Sequence, residues 1–302
     1  MLTENKYHIP VLLEQCIQGL NIQSDGVYVD VTYGGGGHSA KILEKIKSGK
    51  LIAFDKDDDS PGKLFSDKRF LFVNHDFIYL KRFLKYYGYT QVNGILADLG
   101  VSSHQFDTPE RGFAHRYEEK LDMRMDKNQK ISAFEIINTY ADSDLADIFF
   151  HFGEIHESRR LAVMICTERL KNKIETTGQL AEIVRKSSHP KNAGKNIQLV
   201  FQALRIKVNN EIEALKMLLN FTSEVLVSGG RAVIISYHSL EDRLVKNFFN
   251  FGNFEGQAEK DIYGNVKTPF INISKKPLTA SEHEVLNNPR SRSARLRIAE
   301  KT

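Results

Sequence analysis

The sequence predicts an open α/β fold whose sheet-forming pattern is interrupted by a helical insertion. Three observations carry this. The stretch Val27–Ile46 runs from a β-rich segment through Asp30 and Thr32 into Gly34–Gly37, then into a helical pattern with Ile42, Leu43 and Ile46 on one face. Short apolar runs at 50–54, 70–73 and 94–97 follow, each ending at polar residues. Between Phe106 and Asn209 no β run of quality occurs, and the alternation resumes at Arg231–Ser236. Strand, turn and helix in this order build a parallel sheet.

A strand, a glycine turn and a helix N-terminus together present a nucleotide-like ligand, because glycine lets backbone approach it. The P-loop requires Gly-Lys-Ser/Thr, and here Gly37 is followed by His38-Ser39. The dinucleotide fingerprint fits Gly34 and Gly36, but Ser39 takes its third place. Asp30 at the strand end is awkward beside a pyrophosphate and suits a ligand with an ammonium group. S-adenosylmethionine is such a ligand; a purely structural glycine turn is the competing reading. Asp55 ends the run KLIAF, about 20 positions past the turn, where an acid accepts from ribose hydroxyls. Its alternative is a solvated carboxylate in the run Asp55–Asp59.

The hydrophobic content of 41% is enough for a normal core. Lys+Arg exceed Asp+Glu by only 42 to 38, which permits nucleic-acid binding without demanding it. Cys16 and Cys166 are the two cysteines, with no C-x-x-C. A disulfide scaffold or cysteine-rich zinc site is therefore not expected, and no metal is assigned. No run reaches the ~18 apolar residues that span a bilayer, so a cytoplasmic protein without membrane contact is expected.

Taken in order, Pro10 suits a first helical position, with Leu12, Leu13, Cys16, Ile17 and Leu20 on an apolar face. His8 before it reads as a ligand contact or a surface histidine. Asp76-Phe77 follow the third strand, Phe70–Val73. Phe77 either stacks on an adenine or packs against Leu80 and Leu84. The fourth strand, Gly94–Ala97, ends in Asp98-Leu99-Gly100-Val101-Ser102-Ser103, a polar cluster placed at the ligand crevice. In the insertion, Ser132 with Glu135 and Thr176 with Gln179 read as capping boxes, and Gly153 as a helix stop. Lys186–Asn196 reads as a flexible loop within a run, 183–210, that is basic and without acids. A helix at Glu211–Val227 closes at Gly229-Gly230 before the fifth strand, Arg231–Ser236. Phe270–Ile273 and Ala294–Ile298 are further strands.

These residues carry a resemblance. HIPVLLEQ, DVTYGGGGHSAKIL, ILADLGVSSHQFD, RGF, LDMRMD, FQALRIKVNNE, GGRAVIISYHSLEDRLVKNFF and NPRSRSARLRIAE stand in the order and spacing of the bacterial 16S rRNA cytosine-N4 methyltransferases, the methyltransferase H family. The chain resembles that family from His8 to Glu300. The resemblance implies a class I, Rossmann-like S-adenosylmethionine methyltransferase sheet, residues 1–105 and 210–302, with an all-helical insertion, 106–209, that binds substrate. It implies methylation of a cytosine N4 in the decoding region of 16S rRNA, with the small ribosomal subunit as partner. Monomer and homodimer remain open. Cofactor contacts carried over by motif are Gly36, Gly37, His38, Asp55, Phe77, Asp98 and Gln105. His104 stands where proline is common in the family, and the loop 114–120 departs from its pattern. Residues 249–269 match nothing distinctive.

Cytosine N4 is a poor nucleophile, because its lone pair is delocalised into the ring. An acceptor facing the amino hydrogens would help, and Asp98 or carbonyls of 99–102 lie where one is needed. Asp98 is accordingly the catalytic candidate. Ser102, Ser236, His238 and Asp242 are substrate candidates; for the three after the fifth strand, helix capping by Ser239 or Asp242 is the alternative. Arg185, Lys186, Lys191 and Lys195 are candidates for phosphate contacts. Methylation at cytosine C5 would need a cysteine nucleophile, and neither cysteine follows the fourth or fifth strand.

Overall fold

A computed structural model describes residues 10–59, 64–264 and 266–302, so His8 lies outside the described residues. The described strands are β1 (Val27–Asp30), β2 (Lys50–Asp55), β3 (Phe70–Asn74), β4 (Val92–Asp98), β5 (Leu226–Ser236), β6 (Phe270–Asn272) and β7 (Arg295–Lys301). They form one sheet in the order β3-β2-β1-β4-β5-β7-β6. Strands β1 to β5 pair in parallel, β7 runs antiparallel to β5, and β6 antiparallel to β7. This is the Rossmann-like sheet expected from the sequence. Strand order reverses between β1 and β4, and ligands of open α/β sheets bind at the carboxyl ends beside such a switch.

Both faces of the sheet are covered. Helices α1 (Leu13–Leu20) and α2 (Gly37–Lys45) pack on one face through Cys16, Ile17, Leu20, Ile42 and Leu43. Helix α3 (Leu80–Tyr86) packs on the other through Leu80 and Leu84. The near-continuous apolar burial of β2 and β4 follows from that double cover.

The chain divides into two compact units. The sheet unit runs to Gly100 and resumes at Ile212; Val101–Glu211 forms the other. The second unit holds α4 (Ser103–Asp107), α5 (Ala133–Thr139), α6 (Asp142–Gly153), α7 (Ser158–Lys171), α8 (Thr177–Ser187) and α9 (Ala193–Asn209). Its own core includes Leu121, Met123, Ile137, Phe149, Ile165, Val184 and Leu204. Both expected capping boxes form, at Ser132/Glu135 and Thr176/Gln179. The chain then continues into α10 (Glu211–Val225), α11 (Ser239–Phe251) and α12 (Glu282–Asn287). No described helix is long and apolar enough to cross a membrane.

Several boundaries differ from the sequence reading. Pro10 does not open a helix: Leu12 is left-handed at φ 52°, and its N–H donates to Glu284 Oε1 at 2.7 Å. That tie holds the entry segment out of helical geometry. Gly229-Gly230 do not close α10. They form a bulge inside β5, where Val92 pairs with Leu226 and Gly94 with Arg231. The segment 186–196 is largely ordered as helix: Ser187 ends α8, Pro190–Asn192 is a 3-10 turn, and Ala193 starts α9. His189 caps that turn, its side chain accepting from Lys191 N.

Candidate active site

The site is built where β1, β2, β4 and β5 end. Register puts Asp30 beside Ala53 and Leu96, and Asp98 beside Ile235. After β1 the backbone turns through Gly34 (φ 50°) and Gly36 (φ 76°) into the N-terminus of α2. Gly36 is required twice over: its φ is left-handed, and a Cβ there would lie 2.6 Å from the Tyr33 hydroxyl. Gly37 begins α2, whose first-turn N–H groups offer an anion site.

Asp30 holds this turn. It is 1% exposed. Thr32 N–H donates to its Oδ1 at 3.1 Å and the Ser39 hydroxyl to its Oδ2 at 2.7 Å. Burial nonetheless raises its pKa. At that burial Asp30 braces the turn and has no surface for the ammonium group its position suggests in the sequence, whereas Asp55 is only half-buried. Asp55 braces the other side, its Oδ2 accepting from Gly34 N at 2.8 Å and its Oδ1 from Asp57 N at 3.0 Å. The ribose candidate thus also ties β2 to the glycine turn. The His38 ring is buried, and its Nε2 lies 3.0 Å from the Val11 carbonyl. A carbonyl only accepts, so Nε2 donates and His38 fixes α2 to the segment before α1.

Asp98 sits at the centre. Its backbone N–H donates to Thr32 Oγ1 at 2.7 Å, which locks the end of β4 to the turn after β1. Its Oδ1 accepts from the Tyr237 hydroxyl at 2.7 Å. Desolvation pushes its carboxyl up to about 6, against the opposing pull of His38 and the Tyr237 hydrogen bond. Burial and the nearby Asp98 carboxylate raise Tyr237 far above the usual phenol range, so its hydroxyl stays protonated.

The other candidates divide by unit. Phe77 is half-buried and packs on the cluster containing Leu80 and Leu84. Asp76 before it accepts from Ile78 N and pairs with Lys56 at 3.3 Å. Ser236 is buried, and its hydroxyl donates to the Arg295 carbonyl. His238 caps α11, and its Nε2 stands 3.1 Å from Glu241 Oε1. Asp242 accepts a two-point contact from Arg297 (2.7 and 3.1 Å) and another from Arg295 at 3.0 Å. Pairing therefore accounts for Asp242 and capping for Nδ1 of His238, while the buried Nε2 of His238 makes no hydrogen bond among the described residues.

In the helical unit, Ser102 and Gln105 form a capping box on α4, which the sequence reading passed over although S-x-x-Q is its signature. LDMRMD is a structural clasp: Arg124 pairs with Asp122, and buried Arg111 donates to the carbonyls of Arg124 and Met125. Arg185 and Lys186 lie in the last turn of α8, both paired with Glu182. Lys191 lies in the 3-10 turn and Lys195 in α9, both exposed.

Two features were missed in the sequence. Tyr237 stands directly after the fifth strand as Asp98 does after the fourth, and that parallel was the available signal. Cys16 lies close enough to Asp98 and Asp30 for their charges to act on it, which its place far ahead in sequence concealed. It is fully buried, and burial and these carboxylates push its thiol well up.

A glycine cradle, a helix N-terminus and carboxylates at the ends of β2 and β4, on a 3-2-1-4-5-7-6 sheet, define a Rossmann-like S-adenosylmethionine-dependent methyltransferase. The chain belongs to the MraW methylase family, whose match spans residues 5–302. It is 50% identical over 299 residues to the Ribosomal RNA small subunit methyltransferase H of Bacteroides fragilis (strain YCH46), covering 99% of this chain and 98% of that protein. It is 51% identical to the protein of that name from Phocaeicola vulgatus, covering 98% and 97%. Against the one from Flavobacterium johnsoniae the identity is 47%, with both chains covered in full.

Proposed function

We propose that the chain methylates the N4 amino group of a cytosine in the decoding region of 16S rRNA, within the small ribosomal subunit in the cytoplasm. The observation that carries the choice of an exocyclic nitrogen is the carboxylate of Asp98, held by a protonated tyrosine, at the crevice. A cytosine C5 reaction needs a thiolate there, and the Cys16 thiol is buried and held protonated.

The residues fit the cofactor. The left-handed turn through Gly34 and Gly36 and the N-terminus of α2 at Gly37 present backbone N–H groups to it, Asp55 faces the ribose, and Phe77 stacks on the adenine. His38 shapes the cradle, and Gln105 completes the contact set implied by the family. Bound S-adenosylmethionine supplies an electrophilic methyl on a sulfonium, so no covalent enzyme intermediate is required. The chain's part is to align and to take a proton; alignment of this kind supplies roughly 7–11 kcal/mol. With the cofactor bound, the N4 lone pair would form the new N–C bond as the C–S pair left with sulfur, and the chain would have to take up one N4 proton. Asp98 is both cofactor contact and acceptor of that proton through Oδ2, the oxygen not bonded to Tyr237. A carboxyl of pKa about 6 is ionised at neutral pH and still basic enough to accept.

Residues 1–105 and 210–302 act as the catalytic domain and 106–209 as the RNA-binding domain. Ser102 contributes at the substrate, and Arg185, Lys186, Lys191 and Lys195 contact phosphate. The target base is unpaired or flipped and read by stacking and its pairing edge. Nucleoside mass spectrometry of 16S rRNA from cells lacking the protein tests this: N4-methylcytidine disappears and returns on complementation. Persistence of the modification in the deletion strain contradicts it.

A further inference from the structure

Asp98 has two carboxylate oxygens in different states. Oδ1 accepts from Tyr237 Oη at 2.7 Å, while Oδ2 has no hydrogen-bond partner among the described residues. Tyr237 is itself fixed at two points. Its backbone N–H donates to Glu241 Oε2 at 2.9 Å, and Glu241 is 3% exposed in the first turn of α11. On the other side the backbone at Gly100 comes so close that a Cβ there would lie 3.3 Å from Tyr237 Cδ2. The ring is thus held between the end of β4 and the start of α11, with its hydroxyl on one oxygen of Asp98.

We propose that Tyr237 is a positioning residue for methyl transfer: its hydroxyl holds Asp98 Oδ1 and presents Oδ2 to the amino group. This rests on Asp98 being the proton acceptor. The hydroxyl also sets when Asp98 is ionised. The groups acting on Asp98 are His38 from α2 and the Tyr237 hydroxyl, which favour the carboxylate, and Asp30 from β1 and Glu241 from α11, which oppose it. Cys16 from α1 lies near the same carboxylate as a protonated thiol. Removing the Tyr237 hydroxyl leaves the opposing groups in place, so the Asp98 pKa rises.

The test is initial-rate methylation of small subunits from pH 5.5 to 9 with the full chain, Tyr237→Phe and Asp98→Asn. Cofactor titration and thermal unfolding check that each variant is folded. Tyr237→Phe keeps the ring, and the acid limb of its rate profile moves up by about one pH unit, a drop of about fivefold at pH 6 that closes by pH 9. A limb that stays in place, or a loss equal at every pH, overturns the positioning role while Asp98 stands. Wild-type rates from Asp98→Asn overturn the acceptor reading itself, and the role of Tyr237 with it.

Discussion

At the scale of single residues, the site is a set of carboxylates in opposite situations. Asp242 shows one: burial alone raises its carboxyl, but hydrogen bonds from Arg297 and Arg295 overcome this and hold it below its ordinary value. Asp98 shows the other, with desolvation dominant and the pKa raised to about 6. For an acid, that sign means the folded state is penalised once the carboxyl ionises. The penalty is absent below the unfolded value near 4, grows as pH rises, and is complete above about 6. Asp98→Asn therefore stabilises the cofactor-free protein by about 3 kcal/mol at pH 8 and by little at pH 4. Denaturant unfolding at both pH values checks this, and an equal change at both contradicts it. Asp55 makes a different demand. Its contacts to Gly34 and Asp57 N–H groups pre-set it beside the turn. Asp55→Ala is expected to weaken S-adenosylmethionine binding by roughly 2–4 kcal/mol, as for a lost charge-assisted contact in a partly buried site. Unchanged affinity in a calorimetric titration removes the ribose role.

At the scale of elements, the glycine turn is the most constrained piece of backbone. Gly36→Ala adds a Cβ against the Tyr33 hydroxyl at a left-handed φ of 76°. It is expected to destabilise the fold by about 1–2 kcal/mol and to abolish measurable cofactor binding. Wild-type melting and affinity would show that the turn tolerates a side chain. On the helical unit, replacing Arg185, Lys186, Lys191 and Lys195 by Ala is expected to weaken RNA binding and flatten its salt dependence, by about 0.7 in slope per lost phosphate contact. Cofactor affinity stays unchanged. Equal RNA affinity at low salt reduces these residues to a solvated surface. The exposed pairs of Arg185 and Lys186 with Glu182 do not prevent this, since such pairs are weak. Elements with a local cause were legible in the sequence: the five parallel strands, the glycine turn, and the capping boxes at Ser132 and Thr176. Elements set by distant contacts were not. The α1 entry is bent by Glu284, 272 positions away. Gly229-Gly230 reads as a helix stop because the bulge exists only through pairing of β5 with β4. The run 186–196 is polar and contains proline, yet its turn is capped by His189 and leads straight into α9.

At the scale of the whole molecule, one sheet carries the candidate carboxylates Asp30, Asp55 and Asp98, and a helical unit with a core of its own is inserted in the chain after β4. The candidate site was legible as far as strand ends reveal it: Asp30, Asp55 and Asp98 each close an apolar run. It was not legible which of them is braced and which is available. Ser39 and Thr32 occupy Asp30, whereas Tyr237, 139 positions from Asp98, occupies one oxygen of that residue. Pairings of that range follow from sheet register and leave no local pattern. The basic side chains divide in the same way, with Arg295 and Arg297 committed to Asp242 and Lys191 and Lys195 exposed. The central claim is that this chain transfers a methyl group to cytosine N4 in small-subunit rRNA, with Asp98 as the acceptor. The most direct measurement incubates the purified protein with labelled S-adenosylmethionine and small subunits from a deletion strain, then digests the RNA to nucleosides. The account predicts label in N4-methylcytidine, lost with Asp98→Ala even at S-adenosylmethionine concentrations that saturate the variant. Label in 5-methylcytidine, in methyladenosine or only in protein contradicts it.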